Sequence, residues 1–178
     1  QADREIRMKR KKYIFAVVAI LILSVVFISF FFQQSKLNGS TLESRELRLN
    51  QSDNGIHIAS EIKIDEQIIS GIVGANNKYG LAIFEPEDNN KYKLRTKFLR
   101  DNGEIITGHT VINRLGYDLF WYNQADLDYA KITYTVQGKK LEPIELDARE
   151  NKILYYKAPS NDYSIEVAFY DTQGNRYE

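Results

Sequence analysis

Lys91-Tyr92-Lys93-Leu94-Arg95-Thr96-Lys97-Phe98 alternates strictly. The basic residues Lys91, Lys93, Arg95 and Lys97 take one parity, and Tyr92, Leu94, Thr96 and Phe98 take the other. Side chains two apart share a face only on an extended chain, so the stretch predicts a β-strand with one wet face and one buried face. Glu85-Pro86-Glu87-Asp88-Asn89-Asn90 before it reads as a loop. Asp101-Asn102-Gly103 after it reads as a turn into a strand over Ile105 to Ile112, making a hairpin.

The same rhythm runs outward in both directions. Toward the amino terminus, Leu47 and Leu49 alternate with Glu46, Arg48 and Asn50. Ser52-Asp53-Asn54-Gly55 is turn chemistry, and Ile56, Ile58, Ile62 and Ile64 then repeat with period two, so two strands are expected around that turn. Gln67 to Val73 and Tyr79 to Phe84 are short apolar runs separated by Gly74-Ala75-Asn76-Asn77. Toward the carboxyl terminus, strands are expected at Tyr117 to Tyr122, Tyr129 to Val136, Leu141 to Leu146, Ile153 to Tyr156 and Tyr163 to Tyr170. Ala130, Ile132, Tyr134 and Val136 share one face of their strand, as do Tyr163, Ile165, Val167 and Phe169 of theirs. Many short strands with turn signals between them predict an all-β fold, an antiparallel β-sandwich over residues 42–178. It would form one sandwich, or two small modules dividing near residues 113–116.

The last of these strands continues into Asp171-Thr172-Gln173-Gly174-Asn175. Alternating apolar residues followed by Asp-x-x-Gly-Asn resemble the penultimate strand and hairpin of bacterial immunoglobulin-like surface modules, over Leu115 to Glu178. In that pattern Asp171 opens the turn while Gly174 and Asn175 tolerate positive φ. The resemblance implies an immunoglobulin-like adhesive or spacer module and no particular chemistry.

Tyr13 to Phe32 is different in kind: twenty residues without a charge, fifteen of them Leu, Ile, Val or Phe. As a helix at ~1.5 Å per residue it would extend about 30 Å, the thickness of a bilayer's hydrocarbon core, and a single transmembrane helix over residues 13–32 is expected. Residues 1–12 carry six Lys or Arg, whereas the sixteen residues after the span hold only Lys36, Arg45 and Arg48. Positive charge stays inside, which puts the basic segment 1–12 in the cytoplasm and the β region outside. Met8-Lys9-Arg10-Lys11-Lys12 reads as a bacterial start, and residues 1–7 carry no functional weight. A cleavable signal peptide would have a shorter apolar region ending at small residues. Here the run ends in Phe30-Phe31-Phe32-Gln33-Gln34, so an uncleaved signal anchor in the cell membrane is expected, followed by a polar tether over 33–41.

Composition narrows the function further. No cysteine is present, which excludes disulfides, thiolate catalysis and Cys-ligated zinc, and fits a bacterial envelope protein that folds outside the cell without crosslinks. The basic cluster lies against the membrane and nothing comparable follows it, so no nucleic-acid partner is expected. His57 and His109 each stand alone in a predicted strand without a spaced metal motif or a local acid–base partner. Glu85 to Asn90, and Asp126 with Asp128, offer oxygen ligands but lack the spacing of a calcium loop. The basic face of Lys91 to Lys97 reads as a solvated strand face, with an anionic wall polymer as the alternative. No catalytic residue, metal or cofactor is expected.

The remaining cluster is Tyr117-Asp118-Leu119-Phe120-Trp121-Tyr122, which holds the only tryptophan. Tyr117, Leu119 and Trp121 share one face of the strand and Asp118, Phe120 and Tyr122 the other, so both faces are aromatic. Either both are buried between layers, or Tyr117, Trp121 and Tyr122 present rings that stack on a sugar or anchor a protein. The expectation is a non-catalytic binding or accessory module whose partner is another envelope protein or a wall polymer. A wall-glycan binder using those rings is the alternative, and a small envelope hydrolase, needing a cleft with converging carboxylates, is the rival class.

Overall fold

The computed structural model describes residues 15, 17–29, 37–101, 105–150 and 152–177. The expectations for residues 1–12, for 33–36 and for Asn102-Gly103 lie outside them, as do parts of the expected span 13–32. The chain divides into two compact units, Gln1–Asn38 and Gly39–Glu178.

In the first unit, residues 15 and 17–29 are helical (α1) and exposed throughout, with Phe15, Leu21 and Phe27 between 60% and 80% accessible. Ser24 donates its hydroxyl to the carbonyl of Ile20 at 2.8 Å, which satisfies the polar group within the helix itself. Among the described residues no helix is long and apolar enough to cross a membrane.

The second unit is built mostly of antiparallel β-sheets. It begins before residue 42, because Gly39 is buried with φ +73° and a Cβ there would lie 2.1 Å from the carbonyl oxygen of Tyr92. The strand expected around Leu47 and Leu49 is instead a helix, α2 (Leu42–Leu49). Two alternating leucines are too short a sample of periodicity to outweigh a capping box, in which Thr41 Oγ1 accepts from the Ser44 amide and Ser44 Oγ accepts from the Thr41 amide. The helix buries Arg45 and Leu49, four residues apart on one face. Arg45 is held by a bidentate pair with Glu61, at 2.9 and 2.6 Å, and by the carbonyl of Gly39 at 2.8 Å.

The first sheet is a meander of β1 (His57–Ile64), β2 (Gln67–Gly74), β3 (Lys78–Glu87) and β4 (Lys91–Arg100). Two bulges redistribute the faces read from the sequence. In β1 the register shifts between Ile58 and Ser60, so Ile58 packs toward α2 while Ile62 and Ile64 pack on the opposite face. In β4, Leu94 pairs with Phe84 but Thr96 pairs with Ile83, leaving Arg95 as the extra residue. Tyr92 and Leu94 therefore face α2 and Phe98 faces the other way, although strict alternation put them together. The loop expected at Glu85 to Asn90 shrinks correspondingly, since β3 runs to Glu87 and the turn is made by Asn89 and Asn90 at positive φ.

The middle sheet has the order β10-β6-β5, from β5 (Ile106–Ile112), β6 (Leu115–Trp121) and β10 (Leu154–Lys157). The third joins β11 (Ser164–Asp171) to β7 (Leu127–Val136), with the short β8 (Lys139–Lys140) and β9 (Ile144–Asp147) on the far edge of β7. Of the single strand expected over Leu141 to Leu146, only the second half forms, as part of β9; residues 141–143 are outside any strand, and Pro143 has no amide to donate to a ladder. Residues 113–116 hold the turn of hairpin β5–β6 and the start of β6, with seven paired positions joining its two sides in one sheet.

Three apolar clusters lie between successive layers. Leu49, Ile56, Ile72 and Phe84 fill the space between α2 and the first sheet. Leu81, Ile106, Leu119 and Trp121 fill that between the first and middle sheets. Phe120, Ile132, Tyr134 and Phe169 fill that between the middle and third. The middle sheet is thus covered on both faces, and β6 is its most buried strand. Full burial of each large apolar side chain there contributes about 1.5–3 kcal/mol.

Candidate functional site

Strand β6 explains its own double aromatic character. Trp121 is fully buried against the first sheet, edge-on to Tyr79 with ring centroids 6.2 Å apart. Tyr122 is 8% exposed on the opposite side, against Phe169 and Tyr177. Tyr117 is half-buried and meets Tyr155 edge-on. The three rings do not form an exposed platform. Two are consumed by packing on opposite faces, which is the alternative in which both faces of the strand are buried between layers.

What β6 does carry is a polar cluster that the sequence reading passed over. Asn113 and Arg114 both have positive φ, 51° and 66°, and close a two-residue hairpin turn. That turn fixes the register, which sets His109 of β5 directly opposite Asp118 of β6. Asp118 is 6% exposed, and three groups converge on its carboxylate. His109 Nδ1 lies 3.1 Å from Oδ1, the Tyr163 hydroxyl donates to Oδ1 at 2.6 Å, and the Tyr134 hydroxyl donates to Oδ2 at 2.9 Å. Burial first, and then the hydrogen bond to Asp118, hold both phenols well above the ordinary tyrosine range. His109 had been read as a lone histidine. Its partner was nine residues away, visible only once Asn113-Arg114 is recognised as the turn.

A carboxylate only accepts, so Nδ1 of His109 is the ring's protonated nitrogen and Nε2 is the one left for solvent or a ligand. The ring lies over Gly116, where a Cβ would sit 2.8 Å from Cε1 and 3.2 Å from Nε2. His109 borders a cleft of about 800 Å³ between the middle and third sheets, lined also by Arg114, Asp118, Lys157, Asn161 and Tyr163. Asp118 is the only acid in that lining among the described residues. Among the described residues, neither Arg114 nor Lys157 forms an ion pair.

The other candidates are placed elsewhere. His57 is exposed at the start of β1. Glu85 pairs with Arg95 at 3.0 Å, Asp126 accepts from the Tyr177 hydroxyl, and Asp128 lies 4.0 Å from Arg149. Of the basic face, Lys91 and Lys93 are exposed, while Lys97 turns inward to the end of α2. Among the described residues, no three His, Asp or Glu side chains are grouped so as to hold a metal ion. No family model, no curated protein and no solved structure matches the chain.

Proposed function

We propose that this chain is a single-pass, membrane-anchored binding or accessory module of the cell envelope, non-catalytic, with the basic segment 1–12 cytoplasmic and the β-sheet unit extracytoplasmic. The observation that carries the reading is α1. Its residues 17–29 expose Val, Ile, Leu and Phe through more than three turns, so no side of the helix is polar. A helix apolar all round is at home in lipid or in the core of a large protein, not in water.

Binding is favoured over hydrolysis by the cleft. Glycoside hydrolysis needs two carboxyl groups about 5–9.5 Å apart across the bond to be cleaved. The cleft lining offers one carboxylate, already occupied by three partners. A wall-glycan binder, if that is the role, would use this cleft and not Trp121 or Tyr122. The immunoglobulin-like character of the carboxyl-terminal third belongs to the same proposal. Its support is the turn chemistry: Asp171 Oδ1 accepts from the amides of Gln173 and Asn175, and Gly174 has φ +81°.

Two treatments of native membranes test the proposal. The full chain should remain in the pellet after alkaline washing, and protease added to right-side-out vesicles should remove residues beyond about 40. Release of a soluble form starting near Gln34, or protection of the β-sheet unit, overturns it.

A further inference from the structure

We infer that the cleft between the middle and third sheets is a binding site for a phosphate group, held by doubly protonated His109 together with Arg114 and Lys157. This deepens the binding-module reading and rests on it. Among the described residues the cleft is lined by three basic side chains and one acid, and protonation of His109 offsets the charge of that acid. Its lone pairs accept from His109, Tyr134 and Tyr163, so the negative charge is spread over three donors on the protein side. Arg114 and Lys157 have no carboxylate of their own among the described residues. With protonated His109 offset by Asp118, Arg114 and Lys157 remain as the two cations that attract a phosphate, whether free or in a lipid headgroup.

The ring geometry makes His109 the group that senses the ligand. With Nδ1 committed to Asp118, the neutral ring shows the cleft only the lone pair of Nε2, which repels a phosphate oxygen. Uptake of a proton turns Nε2 into a charged donor, so binding of phosphate and protonation of His109 must favour each other. Access is not blocked, because the His109 side chain is 48% exposed and Gly116 beneath it has no Cβ to crowd Nε2. The charged and titratable groups around the ring are Asp118 from β6, Tyr134 from β7, Tyr163 preceding β11, Arg114 from the hairpin turn and Lys157 from β10. The two tyrosines remain neutral donors throughout the range in which histidine changes charge.

The chain holds two histidines, so the imidazole NMR signals of the full chain in zwitterionic nanodiscs consist of His109 and an internal control, His57. Their assignment follows from His109→Gln and His57→Gln. Inorganic phosphate should move the His109 signal saturably, leave His57 unmoved, and raise the pH at which His109 takes its second proton. Chloride and glycerol should do neither. Arg114→Asn, chosen because asparagine tolerates the positive φ at that position, should weaken the effect about tenfold. In a second arm, nanodiscs containing phosphatidylglycerol replace soluble phosphate; a His109 response there alone identifies a lipid headgroup as the source. Silence of His109 toward both sources, equal movement of both histidines, or a response undiminished by Arg114→Asn overturns the site. None of these outcomes depends on which side of the membrane the unit occupies, so failure here is distinguishable from failure of the anchored-module reading.

Discussion

Trp121 lies against Gly71 so closely that a Cβ on Gly71 would be 2.5 Å from Cε2 of the indole. The contact joins β6 to β2 and brings the middle sheet onto the first. Gly71→Ala should therefore push the two sheets apart or force the ring off its position, at a cost of about 1–3 kcal/mol. A denaturant melt followed by the fluorescence of the sole tryptophan measures it. An unchanged midpoint would mean that this face is more loosely packed than the contact implies.

Lys97 closes the other side of the first sheet. Its Nζ donates to the carbonyl of Leu49 at 2.7 Å, near the end of α2, and lies 2.8 Å from Asp53, with only 15% of its side chain exposed. Lys97→Met keeps the aliphatic stem and removes both contacts, and should destabilise the unit by about 1–2 kcal/mol. The hydrogen bond and then the charge of Lys97 lower the pKa of Asp53. The stability that Asp53 provides is therefore present above the ordinary aspartate range and lost as pH falls through its lowered value. Acid titration of the melting temperature should show a smaller low-pH loss in Lys97→Met than in the parent chain.

How much of this could be read in advance depended on whether a feature was local. The strand Tyr163 to Tyr170 and the shared face of Ala130, Ile132 and Tyr134 were legible because alternation over several residues has one structural meaning. The bulge at Arg95 was not, because an extra residue leaves each half of the alternation intact and changes only which side the second half faces. The stretch around Leu47 and Leu49 reads as a strand but is a helix, because the decisive signal lay in the Thr41–Ser44 cap and not in the leucines. The two aromatic faces of β6 could be seen in the sequence, but a covering layer on each side could not, since it comes from strands as remote as β2 and β11. The His109–Asp118 pair sits between these cases. It follows from simple counting about the turn, and it was missed because residues 113–116 read as a possible boundary between modules and not as a hairpin turn.

The phenols on Asp118 give a signature at high pH. Tyr134 and Tyr163 have their pKa values raised, so the folded chain keeps protons that the unfolded chain releases near the ordinary tyrosine value of about 10. The contribution to stability is full below that pH and is lost as pH rises above it. Ultraviolet titration of the twelve tyrosines should show a delayed fraction that ionises only as the unit unfolds. Removing the acceptor with Asp118→Ala leaves two hydroxyls unpaired, at about 1–3 kcal/mol each where fully buried, and should advance that fraction toward normal titration.

The sharpest test of the sheet assignment is a charge walked along β11. Ile165, Val167 and Phe169 point into the cluster between the middle and third sheets, while Ser164 and Glu166 are exposed, with Glu166 paired to Lys140 at 3.1 Å. Aspartate at Phe169, whose side chain is fully buried, removes a large apolar group and buries an unpaired charge, so the unit should not fold. Ile165 and Val167 are only half-buried, which lets a carboxylate reach water, and Ile165→Asp or Val167→Asp should cost about 1–3 kcal/mol. Ser164→Asp should stay within about 0.5 kcal/mol. The order matters more than any single value. A period of two places the costs at 165, 167 and 169 above that at 164, and the graded burial makes 169 the largest. Circular dichroism with thermal melts of the full chain ranks the variants. Equal losses at 164 and 165 would be incompatible with β11 as an edge strand facing the middle sheet, and would remove one wall of the cleft on which the proposed site depends.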